Sequence, residues 1–235
     1  MMNISITKKL IGLLLLLAIS ASCWAMGETT QLTARNPVFA IGLEASPNNL
    51  VVDAALQPAL WTILNKFTIN QIFLDAQDAI VSDQKQLGAF IANAHQQEMK
   101  VVLYCGRPDW VYKHVYPLET AGRYMAYNES HPAEQRFDGI LYHVRFDKLE
   151  DWTKDQAQLQ NKYFTMLQKV KYKLAYDGIT TPLLVALPKD LYENYKKSEH
   201  AKLADGVVIL GAEHQVLKMK ADSSFELGTS ALPPI

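Results

Sequence analysis

Nucleotide-binding motifs, paired metal ligands and an excess of charge are all missing from the 235-residue sequence. No G-x-G-x-x-G follows a strand-like run and no P-loop occurs, so a nucleotide-binding fold is not expected. Lys and Arg total 23 against 24 Asp and Glu, without a dominant basic run, so we expect no nucleic-acid partner. None of the 6 histidines belongs to an H-E-x-x-H or comparable pair, so we expect no metal and no cofactor.

The sequence does contain a large hydrophobic fraction, 49% of its residues. This fraction excludes a disordered, collagen-like or coiled-coil chain. No linker or low-complexity segment interrupts the chain. We therefore predict one domain over residues 37–235, after a polar lead-in over residues 26–36.

The first residues have the three-part pattern of a secretory signal peptide. Lys8 and Lys9 precede an apolar run over residues 10–19, and small residues follow up to Ala25. The apolar run is too short for the roughly 20 residues that a membrane-spanning helix needs. We predict cleavage after Ala25 and an exported protein, periplasmic or secreted, with no stable membrane span after cleavage. The alternatives are an uncleaved anchor and a lipoprotein acylated at Cys23.

Cys105 is left without a partner cysteine once residues 1–25 are removed. It ends the apolar run V-V-L-Y-C. We therefore predict a buried thiol that is slow to react, and no intramolecular disulfide.

Strand-like and helix-like stretches alternate along the chain. Apolar runs predict strands over residues 38–45, 69–74, 101–105, 137–146, 183–187 and 207–210. Apolar residues at helical spacing predict helices around residues 54–64, 87–94, 117–124 and 163–174. This alternation predicts an α/β fold with a mainly parallel sheet covered by helices.

An open doubly wound sheet and a (β/α) barrel both fit this alternation, and polar residues at the strand ends favour the barrel. They would line its working rim: Glu44, Asp75, Arg107, Arg145, Lys189 and Glu213. Of the 235 residues, 25 follow Leu210. That length allows a short seventh strand over residues 225–227 but no eighth unit. We therefore predict a truncated or incomplete barrel.

The segment over residues 127–140 is the most distinctive part of the sequence. It reads Y-N-E-S-H-P-A-E-Q-R-F-D-G-I, continues as L-Y-H-V-R-F-D, and is followed by Trp152. It resembles the approach to the fourth strand in bacterial glycoside-hydrolase-like TIM-barrel proteins, which are distantly related to the chitinase-type (family 18) barrels. In those proteins F-D-G-I leads into a strand that carries D-x-E. The resemblance implies a TIM-barrel scaffold, and it is specific around residues 127–152.

The chain departs from that family at two positions on the predicted fourth strand. His143 stands where the family has Asp, and Arg145 stands where it has Glu. Both share parity with Gly139 and Leu141, so we expect them to face the barrel interior. Glycoside cleavage needs a carboxylic acid that protonates the leaving oxygen, and a guanidinium cannot replace it. We therefore predict a catalytically inactive, glycosidase-like protein.

Such a protein is expected to bind a ligand or a protein partner. Clustered cations at one end of the sheet favour an anionic small molecule such as an acidic glycan or phosphate. Aromatic side chains in the loops after strands three and four favour a carbohydrate. The predicted binding residues are Glu44, Arg107, Trp110, His143, Arg145, Trp152 and Lys189, and Tyr112 and Tyr116 belong to the same loops.

Two alternatives stay open. One is an active hydrolase in which Asp75 and Asp147 replace the missing acids, and the other is an interaction protein that works through its surface helices. The two carboxylates also have a structural explanation, because they can cap helices or pair with Arg107 and Arg145.

Overall fold

The computed structural model describes residues 40–44, 51, 53–176, 181–210, 213–219 and 225–231. The predicted signal peptide and polar lead-in lie outside the described residues. The strands there are Ala40–Glu44 (β1), Gln71–Asp75 (β2), Lys100–Cys105 (β3), Gly139–Tyr142 (β4), Leu183–Pro188 (β5), Gly206–Leu210 (β6), Glu213–Met219 (β7) and Phe225–Ala231 (β8). The α-helices there are Gln57–Lys66 (α1), Ala79–Ser82 (α2), Gln84–Gln96 (α3), Val115–Ser130 (α4), Gln156–Tyr176 (α5) and Lys189–Tyr195 (α6).

The first six strands form a parallel sheet whose strand order follows the chain order. The sheet curls into a half-barrel. This arrangement agrees with the predicted truncated, barrel-like α/β fold. The carboxyl ends of all six strands lie at one edge, as they do in a complete barrel.

The helices bury the apolar stripes that their sequences predict. On α3 the buried side chains recur at helical spacing: Leu87, Phe90, Ile91 and Ala94. The longer α5 buries a similar stripe: Leu159, Tyr163, Met166, Leu167, Val170 and Leu174. These stripes pack against one face of the sheet and form the main core.

The opposite, concave face of the sheet carries a second apolar cluster. Alternation along β3 places Val102 and Tyr104 on this face, while Val101, Leu103 and Cys105 belong to the main core. The buried members of the concave cluster are Phe73, Val102, Leu141 and Ala186. In a complete barrel this face would fill the interior.

The fourth strand is shorter than predicted at both ends. Asp138 directly precedes the strand: its backbone N–H donates to the Val101 carbonyl at 2.8 Å, and its carboxylate accepts the Val101 N–H at 2.7 Å. Beyond Tyr142 the chain leaves the sheet and forms a 3₁₀ turn over Phe146–Lys148. His143 still lies toward the concave face that its parity with Leu141 predicts, because its imidazole contacts Tyr104 there. Arg145 lies beyond the ladder, and its position follows from its contact with Asp147.

The strand predicted over residues 225–227 belongs to a separate hairpin, so its assignment as a seventh barrel strand is wrong. β7 and β8 pair antiparallel in their own two-stranded sheet. Five residues separate them, and a parallel crossover needs about a dozen or more. The connection between β7 and β8 is therefore too short for parallel pairing, and the two strands form an antiparallel hairpin.

Within the described part of the chain, no helix combines the length and the apolar character that a membrane crossing requires.

Candidate ligand site at the carboxyl edge of the sheet

The ends of β3 and β4 approach each other closely at the carboxyl edge. Cys105 is in register with Tyr142, and the His143 N–H donates to the Cys105 carbonyl at 2.7 Å. The next residue of the β3 end, Gly106, has φ +146°, a conformation that L side chains rarely adopt. An ideal Cβ on Gly106 would lie 2.3 Å from the His143 carbonyl oxygen. Glycine at this position thus allows the backbone contact that places His143.

Tyr104 holds the imidazole of His143 from the concave side of the sheet. The Tyr104 hydroxyl and His143 Nδ1 share a hydrogen bond. Their ring centroids lie 5.3 Å apart. Sequence reasoning missed Tyr104, although its parity with Val102 on an apolar strand could have placed it on the inner face.

Arg145 and Asp147 form a bidentate ion pair near the contact between Tyr104 and His143. Arg145 Nε donates to Asp147 Oδ1 at 2.8 Å, and Arg145 Nη2 donates to Asp147 Oδ2 at 2.8 Å. Their side chains are 13% and 14% exposed. The Asp147 hydrogen bonds raise the pKa of Arg145 and outweigh the opposing effect of burial. Arg145, predicted to bind an anionic ligand, is therefore already paired with Asp147, the residue proposed as a replacement acid.

Asp75 is a partly buried carboxyl group at the end of β2. Burial raises its pKa, hydrogen bonds from the Gln77 amide and backbone oppose the rise, and the nearby charge of Asp78 adds to it. Its Oδ1 accepts the Gln77 Nε2 hydrogen at 3.3 Å. Its backbone is in register with Glu44, whose side chain lies outside the described residues. A carboxyl group with a raised pKa has the property that a general acid needs.

Asp75→Asn is expected to stabilise the protein at neutral pH and to have little effect in acid. A raised pKa in the folded state means that the folded chain binds the proton more tightly. The stability contributed by the protonated carboxyl is therefore present in acid and lost as pH rises through the raised pKa. Urea unfolding of both proteins at about pH 4 and about pH 7 measures the difference. The same stability difference at both pH values would contradict the burial effect.

Cys105 is fully buried, as predicted. Its Sγ donates to the Leu141 carbonyl at 3.5 Å, and burial raises the pKa of the thiol well above its usual range. The charge of Asp75 raises this pKa further. A thiol in this state does not provide a nucleophile.

The remaining predicted cations lie at the surface of this edge. Arg107 is 73% exposed, and its Nε lies 3.6 Å from Asp109 Oδ1. Lys189 is exposed at the start of α6. Neither side chain joins the Tyr104–His143 contact in the hydrogen bonds of the described residues.

The predicted aromatic residues divide into buried and exposed groups. Trp110 is 3% exposed and packs edge-on against Tyr142, with centroids 6.0 Å apart. Trp152 is partly buried and packs edge-on against Phe146 at 5.7 Å. Tyr112 and Tyr116 are 42% and 46% exposed. The exposed aromatic surface therefore comes from Tyr112, in the loop after β3, and from Tyr116, which the structure places in the first turn of α4 and not in a loop.

Metal binding at this edge has no support from the residues that the structure describes, where no three His, Cys, Asp or Glu side chains are close enough to hold an ion.

Comparison with known proteins gives a fold and no family. No protein-family profile and no curated protein match the chain. A solved structure that resembles it is the C-terminal domain of a presumed chitinase from Desulfitobacterium hafniense DCB-2, with a TM-score of 0.52 and 11% identity. The match covers 75% of this chain, and it spans 55% of that structure, little more than half its length. The chain therefore has a chitinase-like α/β half-barrel fold.

Proposed function

We propose that this protein is an exported, chitinase-like half-barrel that binds carbohydrate at the carboxyl edge of its sheet without cleaving it through β4. The observation that carries the proposal is the pair of contacts after β4. His143 is hydrogen-bonded to Tyr104, and Arg145 donates hydrogen bonds to Asp147 from both Nε and Nη2. The export part of the proposal rests on the pattern of residues 1–25.

The chemistry of these groups opposes glycoside cleavage at this position. A leaving oxygen needs a proton from a carboxylic acid, and Arg145 remains charged far above neutral pH. Both carboxylate oxygens of Asp147 accept hydrogen bonds from Arg145, so they are engaged in an ion pair and not directed at a ligand. Loss of a positioned acid or base costs roughly 10²–10⁴-fold in rate.

Side chains around the same edge suit a sugar ring. The Tyr104 hydroxyl and the His143 imidazole supply polar groups, and the exposed ring of Tyr116 presents an aromatic face for stacking. One face of the Tyr112 ring is covered by the Lys162 ammonium group, 4.6 Å from its centroid. Arg107 and Lys189 would provide any preference for an anionic sugar, because the guanidinium of Arg145 is already paired with Asp147.

Titration with chito-oligosaccharides and with oligogalacturonates tests the proposal. We expect binding without hydrolysis, and we expect Tyr116→Ala and Tyr104→Phe each to weaken it by about 3- to 30-fold, in the range of a lost stacking or hydrogen-bonding contact. Lys85→Ala, an exposed change on α3 away from the predicted site residues, is the control. Arg107→Ala should weaken binding of the acidic sugar alone. Absence of binding to both sugars would overturn the proposal.

An active hydrolase is the second candidate, and the raised pKa of Asp75 favours it. In that case the wild type would release product from a fluorogenic chitobioside, and Asp75→Asn would abolish the release. Turnover that survives in Asp75→Asn would exclude Asp75 as the acid.

A further inference from the structure

The groove between α4 and α5 begins beside Tyr116 and is lined by more positive than negative side chains. It has a volume of about 660 Å³ and is lined by His114, Val115, Leu118, Glu119, Gly122, Lys169 and Lys173. The first five come from the start of α4 or precede it, and the two lysines come from the C-terminal half of α5.

The two lysines lie one helical turn apart, and their charges lack acidic partners. Within residues 53–176 and 181–210, no carboxylate lies within 4 Å of either ammonium group, although such pairs form at Lys113, Lys154, Lys171 and Lys196. Glu119 is the single acid that lines the groove. The groove is thus a local positive patch on a chain whose net charge is −1.

Hydrogen bonds inside the groove hold Lys169 in place. Lys169 Nζ donates to His114 Nδ1 at 3.1 Å, and His114 Nε2 donates to the Val111 carbonyl at 3.1 Å. This pattern requires the neutral imidazole, and burial together with the Lys169 charge lowers the pKa of His114. The Lys173 Cε would lie 3.4 Å from a Cβ on Gly122, so the missing side chain leaves room for the lysine stem.

Apolar and aromatic groups accompany this charge. Val115 in the groove is 54% exposed. On α5, Tyr172 and Tyr176 follow the two lysines by three residues each, and they are 67% and 89% exposed. Exposed apolar groups next to unpaired cations are typical of a contact surface.

We propose that the groove between α4 and α5 is a docking site for an acidic segment of a partner protein. Carboxylates of the segment pair with Lys169 and Lys173, and an apolar side chain of the segment covers Val115 and Leu118. The argument for this occupant is charge complementarity in a concave groove. A segment of about 12 residues extends over about 40 Å, which is sufficient to follow the groove past both lysines.

Selection from a displayed library of about 12-residue peptides tests the proposal, with fluorescence anisotropy of the enriched peptides at low and high salt as the measurement. We expect acidic peptides with apolar residues to be enriched, and their affinity to fall with salt. Lys169→Glu with Lys173→Glu should weaken binding by about tenfold or more, because opposite charges become like charges. Lys85→Glu with Lys148→Glu makes the same change in net charge outside the groove and should leave binding unchanged.

A neutral substitution separates the apolar contact from general electrostatics. Val115→Ser removes an exposed apolar group from the groove without changing charge, and we expect it to weaken peptide binding by about threefold or more. Circular dichroism of each variant verifies that it is folded. The proposal is overturned by a lack of enriched acidic peptides, by equal losses in the control variant, or by binding to phosphatidylglycerol vesicles without binding to peptides.

Discussion

Gly106→Ala is expected to destabilise the protein by at least about 3 kcal/mol, the range of a strained backbone combined with a steric clash. Gly106 has φ +146°, and its ideal Cβ would lie 2.3 Å from the oxygen and 2.6 Å from the carbon of the His143 carbonyl. These are backbone atoms, so no rotamer change relieves the clash. The His143 N–H that donates to Cys105 would move with them.

Thermal or urea unfolding measures this effect, and Gly122→Ala is the matched control. Gly122 lies inside α4, and its Cβ would have ordinary contacts with the Lys173 side chain. Alanine there should be neutral or stabilise the helix by up to about 1 kcal/mol. Two variants with equal stabilities would show that the β3 and β4 ends do not approach as described.

Asn128→Ala is expected to destabilise the protein by about 3 kcal/mol, because it leaves the buried Phe137 N–H without its partner and the Phe137 carbonyl with the Tyr124 hydroxyl at 3.5 Å. Asn128 is 8% exposed on α4. Its Nδ2 donates to the Phe137 carbonyl at 3.0 Å, and its Oδ1 accepts the Phe137 N–H at 3.0 Å. The amide thus pairs with the backbone just before β4, as a neighbouring strand would.

Asn65→Ala provides the control for this second substitution. Asn65 Nδ2 donates to Gln97 Oε1 at 2.8 Å, but both groups are at the surface. Water replaces that bond, so the change should stay within about 0.5 kcal/mol. A loss for Asn128→Ala no larger than that of Asn65→Ala would contradict the role of the amide in placing β4.

The parallel sheet follows from hydrophobic runs that alternate with helical stretches along the chain, which is why the sequence predicts the half-barrel. The ends of β4 do not follow from them. An apolar stretch shows where a strand can run, whereas its ends here depend on the Asp138 carboxylate and on the turn after Tyr142. The β7–β8 hairpin was missed for a related reason, since Glu213–Met219 is not an uninterrupted apolar run.

The distinctive segment over residues 127–140 owes much of its pattern to structure. The Tyr127 hydroxyl donates to the Gln135 carbonyl, its ring stacks on His131 with centroids 4.0 Å apart, and Asn128 clamps Phe137. Similarity to another protein in this segment therefore indicates that β4 is positioned in the same way. It gives little information about catalytic activity. The candidate site depended on pairings across loops, such as Tyr104 with His143, that spacing along one strand does not reveal.

The Arg145–Asp147 pair restricts which substitutions the turn after β4 tolerates. Arg145→Glu alone would place a second carboxylate beside Asp147 in a site where both residues are about 14% exposed or less, and like charges at such proximity oppose folding. At residue 143, by contrast, an aspartate carboxylate could accept a hydrogen bond from the Tyr104 hydroxyl. A carboxylate at residue 145 therefore requires that Asp147 be replaced as well. The ion pair makes residues 145 and 147 interdependent in any redesign of this edge.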